Sequence, residues 1–332
     1  MKAITQDRYG GPETLSFTDV DRPEPAAGEV LVRVRAAAVN AADWHIMRGD
    51  PYLARLATPA VFGRKGPRHR IRGRDVAGVV EALGAGVTDL RVGDAVFGDL
   101  GLREGAFAEF VAAPAELFGP APASLSFEEA AAVPLAGGTA LAALRDAGGL
   151  QAGQRVLVNG ASGGVGTFAV QIAAALGAEV TAVCSARNVD QIRELGAHRV
   201  LDYRVEDFAS EPVRHHLMLD LVGNRTLRHL RRALTPDGTL VLSGGGVSRG
   251  GSAVGPMGLM IRAGLVDRFV AHRLCVFSAT PDRGLLAELR DLIDAGRVTP
   301  RIERTYPLSA TADAVRHLET EHARGKIVIT VA

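Results

Sequence analysis

The sequence predicts an α/β protein with two parts, a small antiparallel barrel and a doubly wound parallel sheet. Three observations lead there. Roughly the first 120 residues carry short β-type runs separated by turn residues, which suits a barrel better than a parallel sheet. From Ser124 onward, strand and helix signals alternate, and the strands are apolar runs that suit burial on both faces. Between the first of those strands and its helix lies a turn with four glycines in seven residues. A length of 332 residues suits about two domains.

The barrel strands are read as Glu29–Arg35, Val76–Glu81, Asp94–Phe97 and Ala106–Val111, with turns at Pro25–Gly28 and Arg91–Asp94. Ser126 is a suitable N-cap for a helix through Glu128, and Thr139–Asp146 reads as another helix. The parallel sheet follows as Val156–Val158, Val180–Val183, Val200–Leu201, Leu217–Val222, Thr239–Leu242 and Leu274–Phe277. Helices at 166–176, 189–195 and 225–234 connect them. After Ser278 come an amphipathic helix at Asp282–Ala295, a strand at Arg301–Tyr306, a helix at 309–321 and a closing strand at Lys326–Val331. Six parallel strands being assigned already, this tail returns to the first domain. The expected division is 1–123, 124–278 and 279–332, the last completing the first.

The glycine turn is Gly160-Ala-Ser162-Gly163-Gly164-Val165-Gly166, after Arg155–Asn159 and before the helical run Thr167–Leu176. Strand, glycine turn and helix in that order suit a dinucleotide pyrophosphate. The first glycine turns the chain, the middle ones let backbone approach the phosphates, and the last lets helix pack on strand. Free N–H groups and the positive end of the helix dipole then face the anion. A glycine-rich cap without a ligand would leave those glycines unexplained.

Composition excludes several classes. With 38 basic and 37 acidic residues, nothing in the overall charge draws the chain to nucleic acid. Arg64-Lys-Gly-Pro-Arg-His-Arg-Ile-Arg-Gly-Arg74 is a dense basic stretch, read as a solvated loop in preference to an anion site. Cys184 and Cys275 lie far apart in apolar runs and read as unpaired core residues, which suits a reducing cytoplasm. The N-terminus lacks a signal-like apolar stretch, and no apolar run reaches the ~18 residues of a membrane span. His69, His215 and His216 show no metal spacing and read as surface residues.

Taken together, the residues resemble the zinc-free quinone oxidoreductase branch of the medium-chain dehydrogenase/reductase superfamily. The resemblance rests on Met1-Lys-Ala-Ile with Gly10-Gly-Pro-Glu13, Ala38-Val-Asn-Ala-Ala-Asp43 and Arg48-Gly-Asp50. Further along it rests on Gly73-Arg-Asp-Val-Ala-Gly78, Val92-Gly-Asp94, Gly105-Ala-Phe-Ala-Glu109, the glycine turn and Arg324-Gly-Lys-Ile-Val328. It implies a GroES-like catalytic barrel interrupted by a Rossmann domain, with the active site in the cleft between them. It also implies that Asn40 lies near the nicotinamide and the substrate oxygen, Thr139 near the carboxamide, and Gly244 and Gly245 along the nicotinamide ribose. Tyr203 would line the adenosine end. Lys326 would touch the cofactor, unless it is simply a lysine of the closing strand. Relatives commonly pair through an edge strand, so a homodimer is expected. Zinc-dependent relatives have a cysteine ligand where this chain has Asn40 to Asp43, and Gly-His-Glu where it has Gly73-Arg-Asp75. They also carry a four-cysteine lobe, whereas the first cysteine here is Cys184, so no metal is expected.

Val180–Arg187 spans the place where an NAD site carries an acid, and it holds Ser185 and Arg187 instead. A hydroxyl and a guanidinium suit a 2′-phosphate, so NADPH is expected unless Arg187 only faces solvent. Trp44, His45 and Tyr52 follow Asn40 as candidates for the substrate wall, and Tyr52 or His45 as a proton donor. The segment Arg249–Arg273 reads as a cover over the cleft, a dimer contact, or both. The resulting expectation is an NADPH-dependent, zinc-free reductase of quinones or α,β-unsaturated carbonyls. An alcohol or aldehyde dehydrogenase and a non-catalytic NADPH sensor stand as alternatives.

Overall fold

The structure is a computed structural model of the chain. It describes all residues except 51, 53, 54, 56–61, 64, 65, 245–256 and 322. The chain divides into two compact units. The first comprises Met1–Gly138, Thr280–Ala295 and Pro300–Ala332; the second comprises Thr139–Ala279 and Gly296–Thr299.

The first unit is built on a seven-stranded sheet. Its strands are β3 (Glu29–Val39), β4 (Asp75–Leu83), β5 (Ala95–Asp99), β6 (Phe110–Pro114), β7 (Phe118–Pro120), β14 (Ile302–Pro307) and β15 (Lys326–Thr330). The order is β14-β15-β3-β4-β5-β7, and β6 also pairs with β3. β1 (Lys2–Gln6) and β2 (Leu15–Asp19) form a separate antiparallel pair. All pairings in the larger sheet are antiparallel except β14 with β15, which are parallel. Val30, Val32, Val34, Val76, Val96, Phe107, Phe118, Ile327 and Ile329 fill its core. β3 and β4 run longer than the sequence pattern suggests. The run Ala106–Val111 is corrected: only its end is a strand. Ala106 and Phe107 are buried and donate their N–H groups to the Gly73 and Arg72 carbonyls at 3.1 and 2.8 Å, outside any strand ladder.

The first unit reaches Gly138, past the boundary at 123 read from sequence, because α2 (Phe127–Ala131) packs on β3 and β4. Ser126 caps α2 as expected, its Oγ accepting the Glu129 N–H at 3.2 Å while Glu129 Oε2 accepts the Ser126 N–H at 2.9 Å. α3 (Pro134–Ala142) follows, and α1 (Ala41–Arg48) lies between β3 and β4 in sequence. The tail helices are α8 (Arg283–Asp294) and α9 (Thr311–Thr320).

The second unit is a six-stranded parallel sheet. Its strands are β8 (Arg155–Asn159), β9 (Glu179–Cys184), β10 (Arg199–Asp202), β11 (His215–Asp220), β12 (Leu234–Leu242) and β13 (Arg273–Val276). The order β10-β9-β8-β11-β12-β13 reverses between β8 and β11, where doubly wound sheets bind ligands. The helices are α4 (Gly164–Ala175), α5 (Val189–Glu194), α6 (Leu227–Arg231) and α7 (Met257–Val266). The helix read over 225–234 shrinks to α6 because β12 already begins at Leu234. Residues 296–299 join this unit through Gln171, whose amide donates to the Thr299 carbonyl at 3.0 Å and accepts its N–H at 2.8 Å. Cys184 is buried and Cys275 only half-buried, and neither is in a disulfide. His215 is corrected from surface to core: it is 1% exposed, with Nδ1 3.1 Å from the Ala233 carbonyl. Among the described residues no helix is long and apolar enough to cross a membrane.

Candidate functional site

Sheet register brings three polar side chains to one end of the first unit. Ala38 pairs with Asp75 and Val39 with Ile327, so Asn40, Asp75 and Lys326 stand at neighbouring strand ends. All three are at least 95% buried. The Lys326 ammonium donates to Asn40 Oδ1 at 2.5 Å and to Asp75 Oδ2 at 3.1 Å. Asn40 Nδ2 donates to Asp75 Oδ2 at 3.0 Å and to the Ala38 carbonyl at 3.2 Å. The other Asp75 oxygen accepts the Leu135 N–H at 2.9 Å, in the first turn of α3, where unpaired N–H groups and the helix dipole favour an anion. Burial pushes the Asp75 carboxyl up, and Lys326 and Asn40 pull it back.

Two arginine–carboxylate pairs flank this junction. Arg74 grips Asp99 through two bonds, of 3.0 and 2.7 Å, and Arg72 pairs with Glu104. Arg72 is 1% exposed, so the basic stretch does not read through as a solvated loop: its Arg72 and Arg74 are internal counter-ions. Glu104 has φ +54°, a left-handed conformation that non-glycine residues rarely adopt. Burial pushes its carboxyl up against the pull of Arg72. Asp43, in α1, accepts the Asn40 N–H through Oδ2 at 2.7 Å, while its buried Oδ1 has no hydrogen-bond partner. Burial pushes the Asp43 carboxyl up to about 6.

Trp44 and His45 lie on the same helix, their rings edge to face at 4.1 Å. Burial pushes His45 down, favouring its neutral form. Tyr52 is half exposed, with the Arg55 guanidinium 4.8 Å from its ring centre, and no hydrogen bond among the described residues joins it to the junction.

In the second unit the glycine turn connects β8 to α4. Gly160 has φ +90°, so the turn requires glycine there. A Cβ on Gly166 would sit 2.2 Å from the Gly160 carbonyl oxygen, so the helix start packs on the turn too closely for any side chain. A Cβ on Gly163 would meet only that oxygen, 3.6 Å away, so this side of the turn is open. Gly164, Val165 and Gly166 open α4, and first-turn N–H groups have no acceptor within a helix. Together these features fit a dinucleotide pyrophosphate. Ser162 is half-buried beside them.

Ser185 lies at the end of β9, its Oγ accepting from Asn188 at 3.2 Å, and Arg187 is exposed two residues on. Sequence reasoning overlooked Asp202, paired with Cys184 across β10 and β9; its Oδ1 accepts the Arg204 N–H at 3.1 Å and so turns toward its own loop. Tyr203 is 44% exposed and Thr139 is buried in α3. Gly244 has φ +77°; Gly245 and residues 249–256 lie outside the described residues.

Two family models match the chain: an alcohol dehydrogenase GroES-like domain over residues 26–123 and a zinc-binding dehydrogenase domain over 195–329. The NAD(P)H oxidoreductase RTN4IP1, mitochondrial, of Mus musculus is 34% identical over all of this chain and 89% of its own length. The 2-methylene-furan-3-one reductase of Solanum lycopersicum is 32% identical over 99% of this chain and 79% of its own. The crystal structure of Escherichia coli quinone oxidoreductase complexed with NADPH has a TM-score of 0.84 and 26% identity, covering 99% of this chain and all of that one. A GroES-like fold beside a six-stranded dinucleotide-binding sheet, with relatives of this kind along its full length, defines the class. The chain belongs to the medium-chain dehydrogenase/reductase superfamily, in its quinone oxidoreductase-like branch. It is an oxidoreductase that uses NAD(P)H.

One matching domain is described as zinc-binding, and the donors do not fit that ion. Both cysteines lie on strands of the second unit. Among the described residues no group of three His, Cys, Asp or Glu side chains is placed to hold a metal.

Proposed function

We propose that the protein is an NADPH-dependent, zinc-independent reductase of quinones or α,β-unsaturated carbonyls, acting by hydride transfer. The observation that carries the reading is the open glycine turn at the head of α4 together with Ser185 and Arg187, and no acid, just past the C-terminal end of β9, where the ribose would lie. When bound, NADPH supplies the hydride; the protein supplies binding, orientation and charge. The amides of Gly164, Val165 and Gly166, with Ser162, would hold the pyrophosphate. Ser185 and Arg187 would hold the 2′-phosphate, with Tyr203 alongside. Thr139, Gly244 and Gly245 are assigned to the nicotinamide end. Asn40 and Lys326 form the polar floor of the reaction site, and Trp44 and His45 part of its wall.

The acceptor class follows from charge. In a quinone or an enone, the negative charge arriving with hydride moves to a conjugated oxygen, where protonation needs no metal. The named activities of the Escherichia coli and tomato relatives support both acceptor types. Mixing the protein with NADPH or NADH and a panel of quinones, enones and alcohols, then following cofactor absorbance, tests the reading. NADPH oxidation with a quinone or enone is expected. Arg187→Ala should narrow the preference for NADPH over NADH by about tenfold, the loss of one charge-assisted phosphate contact. An unchanged preference would remove Arg187 from the site.

A further inference from the structure

Asn40 has no spare donor. Its amide carries two N–H bonds, one given to the Ala38 carbonyl and one to Asp75 Oδ2. The amide therefore cannot offer an N–H to a substrate oxygen without breaking a buried bond. Lys326 is arranged differently. An ammonium has three N–H donors, and among the described residues it has two acceptors, Asn40 Oδ1 and Asp75 Oδ2. Both arrangements depend on one carboxylate. Asp75 is 0% exposed and accepts from three separate elements: the end of β3, the first turn of α3 and the start of β15.

We propose that Asp75 is the positioning residue of the reaction: it holds the Lys326 ammonium and the Asn40 amide each in a single orientation, and hydride transfer depends on both. The proposal rests on the assignment of Asn40 and Lys326 to the reaction site. The Leu135 N–H and the α3 dipole take up part of the carboxylate's charge, which leaves the ammonium as the local positive group facing Asn40. Two other carboxylates nearby are each held by an arginine. Asp99 is the further carboxylate facing Asp75, and it is gripped by Arg74; Arg72 is taken by Glu104; Asp43 faces Arg72 and Arg74 without touching either. No other carboxylate contacts Lys326 among the described residues.

Asp75→Asn in the full chain tests this. Its amide can still accept from Leu135, but Lys326 loses the carboxylate that orients it. NADPH affinity, read by fluorescence titration, should stay within about threefold of wild type, because the glycine turn is untouched. Single-turnover oxidation of NADPH by a quinone should slow by about tenfold or more. A purely structural role would lower rate, affinity and melting temperature together; that result, or a wild-type rate, overturns the proposal.

Should Asp75→Asn not fold, the double variant Asp75→Asn/Lys326→Met removes both buried charges and leaves a neutral, foldable site. It should remain slow while NADPH affinity stays within about threefold of wild type; a wild-type rate, or rate and affinity falling together, would overturn the proposal. Wild-type protein that oxidises no NADPH with any acceptor refutes the functional reading and the proposal with it. Active wild type beside an equally active Asp75→Asn refutes the proposal alone.

Discussion

Asp43 is a carboxyl group buried with one oxygen bonded to the Asn40 N–H and the other unpartnered. Its folded pKa, raised to about 6 by burial, stands above the ordinary 3.8. Between those values the folded chain binds a proton that the unfolded chain has released. The unfolding free energy therefore falls as pH rises from about 4 to 6, by something on the order of 3 kcal/mol from this group. Asp43→Asn keeps an oxygen for the Asn40 N–H and removes the titration. Urea unfolding at pH 4 and pH 7.5 should show the variant gaining on wild type at the higher pH; a constant difference would mean that Asp43 does not titrate there. Comparison with wild type cancels other groups, such as His215, whose burial favours the neutral ring. At this scale the sequence was only partly legible. Gly73-Arg-Asp75 and Asn40 to Asp43 stood out as family marks, but nothing local reveals that Arg72, Arg74 and Lys326 turn inward to meet three carboxylates. Pairs such as Asn40 with Lys326 are 286 residues apart, and only the register of β3, β4 and β15 joins them.

At the level of elements, legibility followed the kind of constraint. Strands buried on both faces and a turn with fixed glycines are written locally, and β8, the glycine turn, α4 and β9 come out within a few residues of their reading. α1 was missed although Asn40 and Asp43 open it, because those residues were read only for their chemistry. The segment at Ala106 failed for a different reason: it is as apolar as a strand, but its hydrogen bonds are divided between the loop at Arg72 and Gly73 and isolated contacts to β1 and β3, so no continuous ladder forms. The glycine turn offers a test in which folding and ligand binding separate. Gly166→Ala drives a Cβ to 2.2 Å from the Gly160 oxygen and 2.6 Å from the Ala161 carbonyl carbon, both backbone atoms that cannot move aside. It should destabilise by about 1–3 kcal/mol or more and abolish soluble NADPH binding. Gly163→Ala has an ordinary φ of −79° and meets nothing closer than 3.6 Å. It should melt within about 0.5 kcal/mol of wild type yet bind NADPH at least several-fold more weakly, since the methyl enters the open side of the turn. Equal NADPH affinity in Gly163→Ala and wild type would place the pyrophosphate elsewhere.

On the scale of the whole molecule, the near-neutral charge hides a concentration of ions in the first unit. Arg72, Arg74 and Lys326 each hold a carboxylate there. A metal ion bound to those three carboxylates would compete with the arginine or lysine that each one holds, and both cysteines belong to the second unit. On the proposed reading, Lys326 would supply internally the kind of positive charge that zinc provides as a Lewis acid. Prolonged treatment with a strong chelator, followed by metal analysis and a quinone-dependent NADPH assay, should leave the rate within about twofold of untreated protein. Added zinc should not raise it. Activity that vanishes with chelation and returns with stoichiometric zinc would show that the ammonium does not do this work, and would move the protein from reduction of conjugated carbonyls toward alcohol chemistry. The comparison is sharp because the two readings share the fold, the glycine turn and the coenzyme, and differ only in what carries the positive charge beside the reacting oxygen.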